Sequence, residues 1–210
     1  MRRGIFGGSF NPPHMGHIKS LESILKKTGL DAIHVVPTNQ NPAKMQMDGP
    51  SASQRMEMTK LALEGFSKKL VLDDREIRRG GMSYTIDTLK DIQKEFPKDE
   101  LVLIVGLDQF EEFSSWKDYP KILEIANLMV TSRPGFDIPS EEAELPEFIK
   151  PMLKEFDFNV VELKSGKTIE FVEIQDVDTS SSELRKMLRV GQKVEQFVPL
   201  SVERYVRDNK

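Results

Sequence analysis

Leu101-Val102-Leu103-Ile104-Val105 is five apolar residues in succession with no polar alternation. A strand with one wet face alternates; an unbroken run suits a central parallel strand covered on both faces. Parallel neighbours need long crossovers, usually helices, and the chain supplies them. Residues 4–6, 32–36, 70–72 and 128–131 read as four further strands. Between them lie helical patterns: Ile18, Leu21, Ile24 and Leu25 on one face, then a capping box at 51–54 opening a helix through Met56, Leu63 and Phe66. Ile86, Leu89, Ile92 and Phe96 form the next inner face, stopped by Pro97, followed by Phe110, Phe113 and Trp116 and by Ile122, Leu123 and Ile125. This β-α order predicts an α/β fold, a doubly wound parallel sheet with right-handed crossovers. At 210 residues, one domain spanning 1–210 is expected.

Residues 136–158 break the pattern: acidic, proline-punctuated, read as an insertion with a helix near 146–156. Residues 160–163 and 169–172 are either a hairpin or two separate strands. A small C-terminal helical portion follows at 180–210. Ser180 and Glu183 have capping-box spacing, Leu184, Met187 and Leu188 give an inner face, and Pro199 opens a last helix through Val202 and Tyr205. His34 lies inside the second strand and reads as a packed histidine.

The feature with chemistry in it is Gly7-Gly8-Ser9-Phe10-Asn11-Pro12-Pro13-His14-Met15-Gly16-His17, between the first strand and the first helix. Strand, small-residue loop and helix start is the arrangement that turns backbone N–H groups and a helix N-terminus toward a phosphate. Two of the three histidines of the chain fall here; the bland reading is that they only cap the helix. A second helix start, Thr179-Ser180-Ser181-Ser182, has more hydroxyls than one cap needs, and Arg185 sits one turn further in. Hydroxyls, free N–H groups and a guanidinium suit a polyphosphate.

Other chemistries lack their residues. With no cysteine there is no disulfide, thiolate metal site or cysteine nucleophile. The Gly-x-x-x-x-Gly-Lys-Ser/Thr and Gly-x-Gly-x-x-Gly patterns are absent, as is a Gly-x-Ser-x-Gly elbow. His14 and His17 could chelate, yet no third ligand is identifiable, which disfavours zinc. A net charge of −4 argues against a protein that coats nucleic acid or an anionic membrane. The basic N-terminus has no apolar run behind it and no segment approaches a membrane span, so a cytoplasmic protein is expected. Phosphoryl and nucleotidyl transfer fit what remains, because positioning and charge stabilisation supply most of the rate.

The loop 8–17 resembles the nucleotidylyltransferase signature, with its His-x-Gly-His core, and 179–185 resembles that signature's C-terminal partner. Ser83-Tyr84-Thr85-Ile86-Asp87-Thr88-Leu89, Gly106-Leu107-Asp108, Trp116, Arg133-Pro134-Gly135 and the tail from Val198 to Asn209 are similar to bacterial nicotinate-nucleotide adenylyltransferases in particular. That resemblance implies a Rossmann-like sheet and attack by the 5′-phosphate of nicotinate mononucleotide on the α-phosphorus of ATP. Deamido-NAD and pyrophosphate are the products, with Mg²⁺ assisting. It implies catalytic roles for His14, His17 and Arg185. It implies an ATP site of Gly8, Ser9, Phe10, His14, His17, Asp108, Ser180, Ser181 and Arg185. It implies a nicotinate-nucleotide site of Lys44, Thr85, Trp116 and Arg133, with Trp116 stacking on the pyridine ring.

For Asp108, capping the helix that follows is nearly as good a reading. The chain departs from many relatives in having Pro42-Ala43-Lys44 where they have Pro-His-Lys. Nicotinamide mononucleotide as acceptor, another adenylyl- or cytidylyltransferase activity on the same fold, and a non-catalytic nucleotide sensor are the competing readings.

Overall fold

In the computed structural model the described residues are 1–43, 49–132, 138–174 and 181–209. Among them are eight strands, β1 Arg2–Gly8, β2 Ala32–Pro37, β3 Leu70–Leu72, β4 Glu100–Gly106, β5 Asn127–Ser132, β6 Leu153–Asp157, β7 Val160–Leu163 and β8 Thr168–Glu173. Their hydrogen-bonding order is β3-β2-β1-β4-β5-β8-β7-β6. The helices are α1 Met15–Lys27, α2 Ala52–Leu63, α3 Arg75–Arg79, α4 Thr85–Glu95, α5 Leu107–Glu111, α6 Tyr119–Ile125, α7 Ser181–Arg189 and α8 Leu200–Asp208. The α/β class and the β-α order expected from the sequence are what the chain forms. It divides into two compact units, Met1–Phe6 with Tyr84–Ile174, and Gly7–Ser83 with Gln175–Lys210.

In the first unit β1 pairs with β4, β4 with β5 and β5 with β8, all parallel. Residues 101–105 of β4 are each no more than 3% exposed, so the unbroken apolar run is covered on both faces. Ile86, Leu89 and Ile92 of α4 are fully buried. The sheet is mixed rather than wholly parallel, because 160–173 is a hairpin. Glu162 lies opposite Thr168 in an antiparallel β7–β8 pair, and Gly166 takes the left-handed turn position at φ +78°.

No helix forms at 146–156. Pro146 and Pro151 interrupt the i→i−4 ladder there, and the segment makes a short 3-10 turn at Lys150–Met152 and then β6. It is anchored by buried Leu145 and Ile149 and by the Phe148 ring, which meets Phe110, Phe113 and Tyr119.

In the second unit β2 and β3 pair in parallel, with Val35 opposite Leu72. The Ser51–Gln54 capping box is present, Gln54 N–H donating to Ser51 Oγ and Ser51 N–H to Gln54 Oε1. The buried stripe of α2 is Arg55, Met58, Thr59 and Ala62, shifted from the expected one: Met58 is in the core and Met56 is not fully buried. Ile18 of α1, Met58 and Ala62 of α2, Leu184 of α7, Val202 of α8, and Val194 and Val198 between those last two helices form one apolar cluster. The C-terminal helices are therefore part of the core of this unit. His34 is packed, as read from the sequence, with Nδ1 2.7 Å from Asp73 Oδ2.

Candidate active site

In the second unit β1 ends at Gly8, and α1 opens at Met15. The Gly8 carbonyl accepts from Thr38 N–H at 2.9 Å, tying the start of the loop to the end of β2. A Cβ on Gly8 would meet three atoms of the Phe10 ring at 3.1–3.4 Å. Glycine there lets the Phe10 ring fold back, and Phe10 itself holds a left-handed φ of +46°. Its ring is buried and meets His17 edge-on with centroids 5.2 Å apart.

His14 is the N-cap of α1 and His17 is its third residue, and each caps through the other. His14 N–H donates to Nδ1 of His17 at 3.2 Å, and His17 N–H donates to Nδ1 of His14 at 3.4 Å. The rings stack with centroids 3.7 Å apart. Both Nδ1 atoms are acceptors, so in the neutral rings the proton sits on Nε2. Capping and phosphate binding are not rival readings here: the cap uses one nitrogen and fixes the other as a donor. The first turn of α1 has no acidic residue, so the helix dipole adds to a positive local potential.

From 169 residues further along, Ser181 Oγ donates to the Pro12 carbonyl at 3.1 Å. Arg185 Nη1 donates to the Asn11 carbonyl at 2.8 Å, and its Nη2 to Ser182 Oγ at 3.0 Å. Ser181, Arg185, His14 and His17 are thus brought together around one loop. Ser181 and Arg185 hold the loop backbone directly, which sequence reasoning did not anticipate. Arg185 uses two of its five N–H donors in these bonds.

The first unit carries three more of the expected residues. Asp108 is exposed in the first turn of α5 and makes no side-chain cap bond; the N-cap is Gly106. A Cβ on Gly106 would lie 2.5 Å from Asp108 Oδ1, so the glycine is what gives that carboxylate its position. Thr85 is the first residue of α4. Trp116 is half-buried, with its ring against Phe113 at 5.0 Å. Next to it, Lys117 lies over the Tyr84 ring at 4.2 Å and pairs with Asp87 at 3.6 Å, which brings the start of α4 to the Trp116 segment. Lys44, Arg133 and Ser180 lie outside the described residues.

A model of the cytidylyltransferase-like family matches residues 5–187. A probable nicotinate-nucleotide adenylyltransferase of Geotalea uraniireducens is 35% identical, over 100% of this chain and 97% of the relative. One of Maridesulfovibrio salexigens is 36% identical, over 96% and 93%. The chain belongs to the nicotinate-nucleotide adenylyltransferase family. Its fold is shared with the nicotinic acid mononucleotide adenylyltransferase of Plasmodium falciparum, solved in complex with NaAD, at a TM-score of 0.73 and 22% identity over 99% of this chain and 96% of that one.

Within this family member, the residue that sequence reasoning passed over is Arg55. Its guanidinium donates to the Ser9 carbonyl at 2.8 Å and to the Asn39 carbonyl at 2.9 Å. The signal was present in the helix register, since residue 55 precedes Met58, Thr59 and Ala62 by three, four and seven. A cation at a core position does not look like one.

Proposed function

We propose that the protein transfers the adenylyl group of ATP to nicotinate mononucleotide, giving deamido-NAD and pyrophosphate, as a cytoplasmic step of NAD biosynthesis. The observation that carries this reading is the reciprocal cap of His14 and His17, which engages both Nδ1 atoms and so puts the protons of the neutral rings on Nε2, at a helix start. A phosphate oxygen of the mononucleotide attacks the α-phosphorus; that P–O bond forms as the bond to the bridging oxygen of the β-phosphate breaks. Negative charge grows on the pyrophosphate as it leaves. No covalent intermediate with the protein is needed.

His14 and His17 donate to the triphosphate, His17 nearest the α-phosphate, where charge builds in the transition state. Gly8, Ser9 and Phe10 line the ATP site with backbone N–H groups. Ser180, Ser181 and Arg185 hold the β- and γ-phosphates, Ser181 through its N–H at the start of α7 and Arg185 through donors beyond the one it spends on the loop and the one on Ser182. Asp108 binds the adenosine ribose. Thr85, Trp116, Lys44 and Arg133 take the nicotinate nucleotide, Trp116 by stacking on the pyridine ring. ATP enters as its Mg²⁺ complex, the ion being held by phosphate oxygens as is usual for this cation.

The test is pyrophosphate release with ATP and Mg²⁺ plus nicotinate or nicotinamide mononucleotide in turn. Release with the nicotinate form, at a kcat/KM at least ~10-fold above the amide, is the expected result. No release with either mononucleotide would sink the enzyme reading; a preference for the amide would reassign the acceptor.

A further inference from the structure

The largest of the fully buried side chains among the described residues is a cation: Arg55 is 1% exposed. It occupies the inner stripe of α2, in register with Met58 and Ala62, where an apolar residue would cost nothing to bury. Two of its donors are satisfied, Nη1 by the Ser9 carbonyl and Nη2 by the Asn39 carbonyl, while Nε has no partner. Among the described residues no carboxylate pairs with it. Burial pushes its pKa down, in keeping with a charge short of compensation.

The two carbonyls belong to the segments that leave adjacent ends of the unit, Ser9 just beyond β1 and Asn39 just beyond β2. A trans peptide points its C=O and the following N–H in opposite directions. Drawing the Ser9 carbonyl inward to Arg55 therefore turns the Phe10 N–H outward, away from α2. Asn39 is itself held in place, its N–H donating to Ser83 Oγ at 2.9 Å and its side chain to the Gly81 carbonyl at 2.8 Å. The fork thus references the loop to a fixed neighbour.

We infer that Arg55 is a positioning residue for the triphosphate of ATP, aiming the Phe10 N–H at the anion and supplying, beneath the loop, a buried positive charge that the bound phosphates offset. This rests on the reading of residues 8–10 as the ATP site. A purely structural arginine would act differently: its loss would lower stability and weaken both substrates in step. Here the charge burdens the free protein, so an apolar chain of similar length sets the relieved desolvation cost against the two hydrogen bonds lost at the Ser9 and Asn39 carbonyls, and the melting temperature should change little.

The experiment compares Arg55→Met and Arg55→Lys with the wild-type chain. It measures thermal unfolding, calorimetric titration with ATP and Mg²⁺, and KM for each substrate in the pyrophosphate assay. For Arg55→Met we expect a Tm close to that of wild type, ATP binding weaker by ~30-fold or more, and a KM for nicotinate mononucleotide within about twofold of wild type. Arg55→Lys keeps the charge but cannot fork across two carbonyls, so ATP should bind ~5- to 10-fold more weakly.

Wild-type ATP affinity in Arg55→Lys and Arg55→Met, or equal losses for both substrates accompanied by a lower Tm, would overturn the proposal. If Arg55→Met does not fold, Arg55→Lys decides alone on the same criteria. A wild-type chain that binds ATP but releases no pyrophosphate would fail the adenylyltransferase reading and leave the ATP titrations to judge Arg55.

Discussion

His14 and His17 cap the same helix through each other, each Nδ1 accepting the other residue's backbone N–H, at 3.4 and 3.2 Å. On the proposed mechanism stability draws on the Nδ1 edges of the two rings and chemistry on their Nε2 edges, and substitution can separate them. Asparagine is a good N-cap, so His14→Asn should keep the melting temperature near wild type while lowering kcat by about 10²-fold. His14→Ala should lose the same activity and, in addition, about 1 kcal/mol of stability. Thermal melts paired with turnover check this; full activity in His14→Asn would show that the ring only caps.

His17→Ala should reduce kcat by ~10²-fold or more while weakening ATP binding much less. Calorimetric ATP affinity alongside kcat distinguishes the two. A loss confined to binding would place His17 in ground-state recognition.

Trp116 rests one side on Phe113, whose ring also meets Phe148. That support lets the indole present a flat apolar face at low entropic cost. Trp116→Ala should raise KM for nicotinate mononucleotide by ~10-fold or more and leave KM for ATP within about twofold. A matching rise for ATP would take Trp116 out of the mononucleotide site.

Gly106→Ala should act through Asp108, since the new Cβ falls 2.5 Å from its Oδ1. The carboxylate must swing away, so the variant should raise KM for ATP as much as Asp108→Asn does, and the two changes combined should be far from additive. Independent, additive effects measured in a double-mutant cycle would refute the coupling.

The second unit also carries an acid-sensitive contact. Burial alone would push the Asp73 carboxyl up, but hydrogen bonds from His34 and from the Arg75 side chain and backbone outweigh it and hold it at about 2, against 3.8 when unperturbed. Above about pH 5 the carboxyl is ionised in both folded and unfolded chains, and its stabilisation is complete. As pH falls toward 2 the unfolded chain takes up the proton first, and ~2 kcal/mol is lost. Urea midpoints at pH 5 and pH 2.5 should show this loss in wild type and a much smaller one in Asp73→Asn.

What could be read from the sequence depended on whether one physical constraint dominated locally. Residues 101–105 were legible because a doubly covered strand tolerates no polar residue. The strand–loop–helix arrangement around 7–17 was legible because glycines and prolines in close order break one regular element before the next begins. At 160–173 the apolar residues suit either pairing, and the tight turn through Gly166 was what settled a hairpin. The 146–156 stretch was misread because Phe148, Ile149 and Met152 mimic a helical face, while Pro146 and Pro151 remove the hydrogen bonds to sustain it. Arg55 was missed because hydrophobic periodicity cannot register a core position filled by a charge. That the histidines cap the helix was one of the two sequence readings; that each does so through the other was hidden, since imidazole is not among the usual N-cap side chains.

The cluster that joins Ile18, Met58 and Ala62 to Leu184, Val194, Val198 and Val202 also sets when the second unit can complete its core. As the polypeptide emerges from the ribosome, the glycine–histidine loop appears early, but the groups that brace it, Ser181 and Arg185, follow only 169 and 174 residues after the carbonyls they hold. Until then Ile18, Met58 and Ala62 have no apolar partners from α7 and α8. A nascent or prematurely terminated chain thus displays an uncovered apolar surface together with an unbraced glycine–histidine loop. Chaperones and proteases can recognise the first. The core of the second unit and the bracing of its loop are completed by the same late-made segment.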